Sequence, residues 1–212
     1  MNGGHDLGGV DGLGPINPEP EAVESVFHHE WEKRAFALTL ACGFLGQWNL
    51  DESRHARERQ HPADYLKNTY YENWLQGLET LLAEKRLLED ENIQKLSSKC
   101  ISADSVDDIL SRGGPVNMPT DTTPAFHPGD DVKVMNNHIT GHTRVPRYCA
   151  GRIGVIEAVQ GFHVFPDANA LGQRTGQYLY SVRISAQELW GRDSHSVYVD
   201  LWQPHLTSVR KS

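Results

Sequence analysis

Cysteine is scarce, long apolar runs are missing and basic charge is in deficit, and each shortage removes a class of function. The three cysteines, Cys42, Cys100 and Cys149, stand far apart with no C-x-x-C spacing. That pattern argues against a disulfide framework and fits a reducing, cytoplasmic setting. The apolar stretch Ala35–Leu45 is internal and too short to cross a bilayer, so no membrane role is expected. The first fourteen residues hold six glycines and no apolar run, unlike a secretory leader. With 20 basic against 28 acidic residues the net charge is −8, which disfavours nucleic acid and anionic membranes as partners. Eleven histidines fall into no H-E-x-x-H or other ligand spacing, so no metal site is expected in this chain. A G-x-S-x-G elbow and a phosphate loop are missing too. Gly12-Leu13-Gly14 lacks the preceding strand and third glycine of a dinucleotide fingerprint.

What is present is a concentrated cationic loop. GHTRVPRYCAGRIG, residues 141–154, carries Arg144, Arg147 and Arg152, and the nearest acids in sequence are Asp131 and Glu157. Each guanidinium must find its anion elsewhere in the fold, in a ligand or in another chain. Pro146 forces Val145 into an extended conformation, and Gly141, Gly151 and Gly154 are expected to allow tight turns. A planar fork on so stiff a segment suits a two-oxygen anion. Ordinary ion pairing is the plainer account of any single one of these arginines.

Taken in order, residues 1–20 are rich in Gly and Pro and read as an extended arm lying on another surface, or as an unstructured terminus. Residues 21–112 read as an α-helical domain. In its first helix Trp31, Phe36, Leu38, Leu40, Phe44, Leu45 and Trp48 face nearly every side, so the helix needs cover all round, and a partner chain is one source. Asn49 and Glu52 open a short helix with Arg54 and Glu58, which a simple i,i+4 pair would satisfy. His61-Pro62 breaks it from a further helix opened by Thr69 and Glu72. There Tyr70, Trp74, Leu78 and Leu81 form a stripe that is core first, although Tyr70 and Trp74 carry polar atoms suited to a pocket wall. Weaker helical pieces near 90–99 and 105–112 end at Gly113-Gly114. Residues 113–128, with four prolines, read as a linker. Residues 129–212 then change to period two, in Val132/Val134, Tyr178–Ile184 and Val197–Leu201, which predicts a small, partly open antiparallel barrel. The fold class expected is α+β.

GHTRVPRYCAGRIG, the opening MNGGHDLGG with GLGP, and the tail ELWG…VYVDLW resemble the β subunit of nitrile hydratase, from Met1 to about Leu206. The resemblance implies an SH3-like β-roll for the second half and a partner α subunit, in an αβ heterodimer or α2β2 assembly. That α subunit would hold non-haem Fe(III) or Co(III) through cysteines, two of them oxidised to sulfenic and sulfinic acids. It implies a small-molecule nitrile as substrate, hydrated to an amide. By motif, Arg54 in LDESRH and Arg144 in GHTRVP would bond the oxidised cysteines, and Tyr70 in TYYENW would be a catalytic or pocket tyrosine. Trp74, Trp48, Phe36 and Leu40 would line the pocket, and Glu58 and His142 would support the arginines or relay protons. Two other readings share parts of the resemblance. Thiocyanate hydrolase divides the two halves between separate chains, whereas both are continuous here. A metal-loading chaperone resembles only the helical half. Without the resemblance, a barrel-bearing module touching RNA through GRIGVIEAVQG is the fallback, and the acidic charge weighs against it.

Overall fold

A computed structural model describes residues 3–192 and 194–209, and the chain divides into two compact units, Gly3–Gly113 and the stretch from Gly114 onward. The first unit is helical: α1 (Glu30–Phe44), α2 (Leu50–Glu58), α3 (Pro62–Lys67), α4 (Tyr70–Glu84), α5 (Asp90–Leu96) and α6 (Val106–Arg112). Local chemistry explains the starts. Asn49 Oδ1 accepts from the backbone of Asp51 and Glu52, each at 3.0 Å, and Glu52 Oε2 accepts from Asn49 N at 2.8 Å. Thr69 and Glu72 close the start of α4 in the same reciprocal way. Pro62 occupies the first turn of α3, where no amide donor is needed.

Helix α4 packs against both α1 and α2. Gly77, Leu78 and Leu81 are its buried residues, and Ala35 of α1 and Ala56 of α2 are buried too. Arg59 forks onto Glu84 (Nη1–Oε1 2.7 Å), which holds the Glu84 carboxyl below its ordinary range and ties the ends of α2 and α4 together. The core is thin for the apolar content of α1. Trp31 remains 38% exposed and Leu38 46%, so much of that all-round apolar surface is uncovered within the unit.

The second unit is a five-stranded antiparallel sheet in the order β4-β3-β2-β1-β5. Its strands are β1 (Asp131–Val134), β2 (Ile153–Val164), β3 (Gly176–Ser185), β4 (Ser196–Trp202) and β5 (Leu206–Ser208), with short helices α7 (Pro166–Asn169) and α8 (Ala186–Trp190) between them. The alternation expected along β3 is realised, with Tyr180, Val182 and Ile184 on the buried face. They join Val132, Val134, Ile156, Val199 and Leu201 in one core. The expected barrel is not closed: β4 and β5 are the two edges of the ladder, and β5 is only three residues long. Two register shifts, at Ile156/Ala158 and Val159/Gly161, bend β2 instead.

Residues 116–126 run along this sheet. Val164 N donates to Val116 O and Met118 N to Phe162 O, both at 2.8 Å, and Ala125 N donates to the Tyr180 hydroxyl at 3.0 Å. Gly154 also differs from expectation. It is a strand residue without positive φ, and a Cβ there would lie 2.7 Å from Val182 Cγ1 and 2.9 Å from Arg183 O. Close strand packing, not a turn, requires glycine. Gly151 (φ 76°) is the turn residue of this stretch.

Candidate functional site

The candidate residues fall in two places, one in each unit. In the helical unit they gather on α2 and α4. Arg54 Nη1 donates to Asp51 Oδ1 at 3.1 Å, one turn back on α2, and Asp51 is buried while Arg54 is 40% exposed. A capped helix thus supplies a local acid that fixes the base of the guanidinium and leaves donors over. Glu58, expected to be the simple i,i+4 partner, has its carboxylate 4.0 Å from the His5 ring.

Arg57, passed over in the sequence reading, is the other cation of this face. Its guanidinium lies 4.4 Å from the centre of the Trp74 ring, and it donates to Ser53 O and Ser53 Oγ, both at 3.2 Å. Burial pushes its pKa below the ordinary value. An R-x-x-R spacing on a short helix was the available signal, but the tryptophan it stacks on is 17 residues away and invisible to periodicity.

Tyr70 opens α4 and is 66% exposed. Its ring lies 5.1 Å from Tyr71 and 5.7 Å from Trp74, and Trp74 lies 5.8 Å from Phe36. Phe27 joins through Tyr71 at 5.2 Å. These are tilted and edge-on contacts within the favourable range for aromatic pairs. An adjoining cavity of about 780 Å³ is lined by Val26, His28, Trp31, Glu32, Tyr70 and Tyr71 among others. Phe36, Leu40, Trp48 and Trp74 lie outside its lining; Leu40 and Trp48 are half-buried along α1 and beyond its end.

In the sheet unit, the loop from Met135 to Ala150 carries Arg144 and His142. Arg144 is half-buried between buried Thr143 and Val145; Arg147 and Arg152 are exposed. Val145 belongs to the sheet core and Cys149 Sγ donates to Pro146 O at 3.0 Å, so the backbone on the C-terminal side of Arg144 is anchored. On the N-terminal side stands a pair that the sequence did not disclose. His205 Nε2 lies 3.0 Å from Asp167 Oδ2 and 3.5 Å from Thr143 Oγ1, and Met135 N donates to His205 O at 2.8 Å. The loop closes over a cavity of about 550 Å³ whose walls include Ile139, His142, Thr143, Phe165, Leu171 and His205. His142 is buried, 3% exposed.

Among the described residues no group of three or more His, Cys, Asp or Glu is placed to hold a metal. No helix among them is long and apolar enough to cross a membrane. The helical unit thus carries Arg54 and an aromatic group in which Tyr70 is left exposed, and the sheet unit carries Arg144 on an anchored loop. The chain belongs to the nitrile hydratase β-subunit family. The N-terminal family model matches residues 1–124 and the C-terminal one residues 115–208. The nitrile hydratase subunit β of Pseudomonas putida is 38% identical over 97% of this chain and 99% of its own. A cobalt-containing relative from Pseudonocardia thermophila is 37% identical over 99% and 97%, and a low-molecular-weight cobalt-containing one from Rhodococcus rhodochrous 35% over 97% and 99%. A solved thiocyanate hydrolase apo-enzyme from Thiobacillus thioparus is 19% identical and covers 41% of this chain and 78% of its own, at a TM-score of 0.39. That likeness is too slight to bear on function. The family places the chain in a hydro-lyase, within whose complex the β subunit works.

Proposed function

We propose that this chain pairs with a metal-binding α subunit, as an αβ unit doubled to α2β2, to hydrate small nitriles to amides in the cytoplasm. The observation that carries the reading is the pair of forked cations, Arg54 on a capped helix and Arg144 on a loop anchored at both sides, in a chain matched by the family over residues 1–208. In this reading Arg54 and Arg144 donate to the oxygens of oxidised cysteine ligands on the partner. Buried oxyanions left without donors would cost several kcal/mol, on the order of 1–3 kcal/mol for each lost bond. Tyr70 and Trp74 form part of the substrate wall, with Phe36 behind them, Leu40 further along α1 and Trp48 beyond its end. Glu58 and His142 hold the arginine-bearing segments.

Two relatives are named cobalt-containing. In this reading the metal, Co(III) or Fe(III), is held by the α subunit, and the part of this chain is to bind, orient and exclude water. The cytoplasmic setting is supported by three separated free cysteines. The SH3-like description of the sheet is supported by the placing of the last strand beside the first and by the bulged β2. A boundary between the helical and sheet domains near Gly113 is supported by the division into two units.

The test is reconstitution. The purified chain alone is expected to hold no stoichiometric iron or cobalt and to hydrate no nitrile, and co-expression with an α-subunit gene is expected to give a complex with both metal and activity. Elemental analysis finding one tightly held metal per isolated chain overturns the reading. Tyr70→Phe tests the pocket separately. It removes a hydroxyl and almost no volume, so the complex should assemble while turnover or KM worsens by roughly tenfold. Unchanged kcat and KM would leave Tyr70 as packing alone.

A further inference from the structure

The opening motif is the one sequence feature that the reading above leaves without a task. Gly3–Asp6 is not free: it lies on the end of α2 and the start of α3. A Cβ at Gly4 would lie 3.0 Å from Pro62 Cα and 3.1 Å from Pro62 O, and one at Gly3 would lie 3.1 Å from Glu58 O. These neighbours are backbone atoms, so a side chain at either position would require the chain there to shift by a few tenths of an ångström. Asp6 N donates to Gly3 O at 3.2 Å, and Asp6 is 4% exposed. That turn drives the His5 ring inward, where its side chain is 10% exposed, edge-on to Tyr65 of α3 at 6.0 Å and 4.0 Å from Glu58 Oε2. Burial pushes the His5 pKa down against the opposing pull of Glu58 and Asp6. The Glu58 carboxylate, itself 13% exposed, is thereby enclosed one turn from Arg54 and next to Arg57.

We propose that His5 is a positioning residue for Glu58, and that Gly3–Asp6 clamp the end of α2 so that this helix presents Arg54 in one orientation. The proposal rests on the function reading given above for Arg54. The arm acts through Glu58 and touches no reacting group. Close glycine approaches and one buried imidazole contribute to its docking, so single changes there are expected to disturb it.

The test uses the co-expressed, assembled complex and compares Arg54→Lys, His5→Ala, His5→Gln, Glu58→Gln, Gly4→Ala and the His5→Ala/Glu58→Gln double variant. His5→Ala should lower kcat about tenfold with KM within about twofold, the signature of a misplaced group. Gly4→Ala, which keeps the histidine but lifts the arm from Pro62, should reproduce that loss. In the double variant His5→Ala should add nothing to Glu58→Gln, since both break one pathway. Additive losses, or wild-type kcat in His5→Ala beside an impaired Arg54→Lys, overturn the positioning role alone. A wild-type Arg54→Lys overturns the function reading beneath it. If His5→Ala fails to assemble, His5→Gln and Gly4→Ala carry the comparison. Loss of assembly in all arm variants makes the arm purely architectural and likewise overturns the proposal.

Discussion

Arg144→Lys is expected to reduce turnover of the assembled complex about a hundredfold, because one charge-assisted bond to a buried oxyanion is worth on the order of 2–3 kcal/mol. The substitution keeps the charge, so a long-range electrostatic role would survive it. It removes the planar fork, which an ammonium cannot reproduce across two acceptors. The backbone on either side should not adjust to help. Val145 is buried in the sheet core, and Thr143 stands at the Asp167–His205 pair. Complex formation should persist, with a metal site more prone to loss or over-oxidation. Arg147→Lys is the control on the same loop, and because Arg147 is exposed its change should be mild. Steady-state kinetics with metal content on both variants decide the matter. Near-normal rates for Arg144→Lys, or equal damage from both, would remove Arg144 from the site.

The features legible in the sequence were those written in short-range chemistry. Asn49/Glu52 and Thr69/Glu72 each satisfy orphan helix amides within four residues, so the starts of α2 and α4 can be read directly. Strands β1, β3 and β4 show their period because one face is buried and the other is not. Strand β2 was not legible. It pairs on both sides, bends at two register shifts and carries Gly161 at φ 110°, so its 12 residues show no clean alternation. Strand β5 is too short to have a period. In the arm, a stretch with almost no apolar side chains, composition left an extended segment on another surface and an unstructured terminus both open; Gly3 and Gly4 make close backbone approaches that leave no hydrophobic signature.

The candidate site follows the same division. Motif resemblance is what singles out Arg54, Arg144, Tyr70 and Trp74 as candidates, because those residues sit in distinctive local strings. It did not indicate that Arg54 bonds Asp51, that Arg57 stacks on Trp74, or that Asp167 and His205 stand behind the Arg144 loop. The last two arrangements join residues 17 and 38 positions apart, and only the tertiary fold brings them together. The all-round apolar character of α1 was legible, and its physical consequence is seen in the exposure of Trp31 and Leu38. Within its own unit that helix does not find enough surface to cover it.

Gly77→Ala is expected to destabilise the complex by about 2 kcal/mol, although alanine is the better helix former by about 1 kcal/mol. Gly77 lies in the middle of α4, where propensity alone predicts a gain. A Cβ there would lie 2.4 Å from Arg57 Cγ and 3.3 Å from Arg57 N. The first contact is with a side-chain stem that is tethered to Ser53 and to Trp74, and the second is with backbone. Relief therefore requires α2 and α4 to separate or Arg57 to leave the Trp74 face, and either disturbs the helix that carries Arg54. Gly43→Ala supplies the comparison. That glycine is in the last turn of α1, has no neighbour within 4 Å of an added Cβ, and should gain up to about 1 kcal/mol. Thermal unfolding of the two variant complexes should move in opposite directions. Loss of the Arg57 stack should also change the Trp74 fluorescence in Gly77→Ala alone. Parallel gains in Tm would mean that α2 and α4 part without cost, and that neither Arg57 nor the seating of α2 depends on this contact.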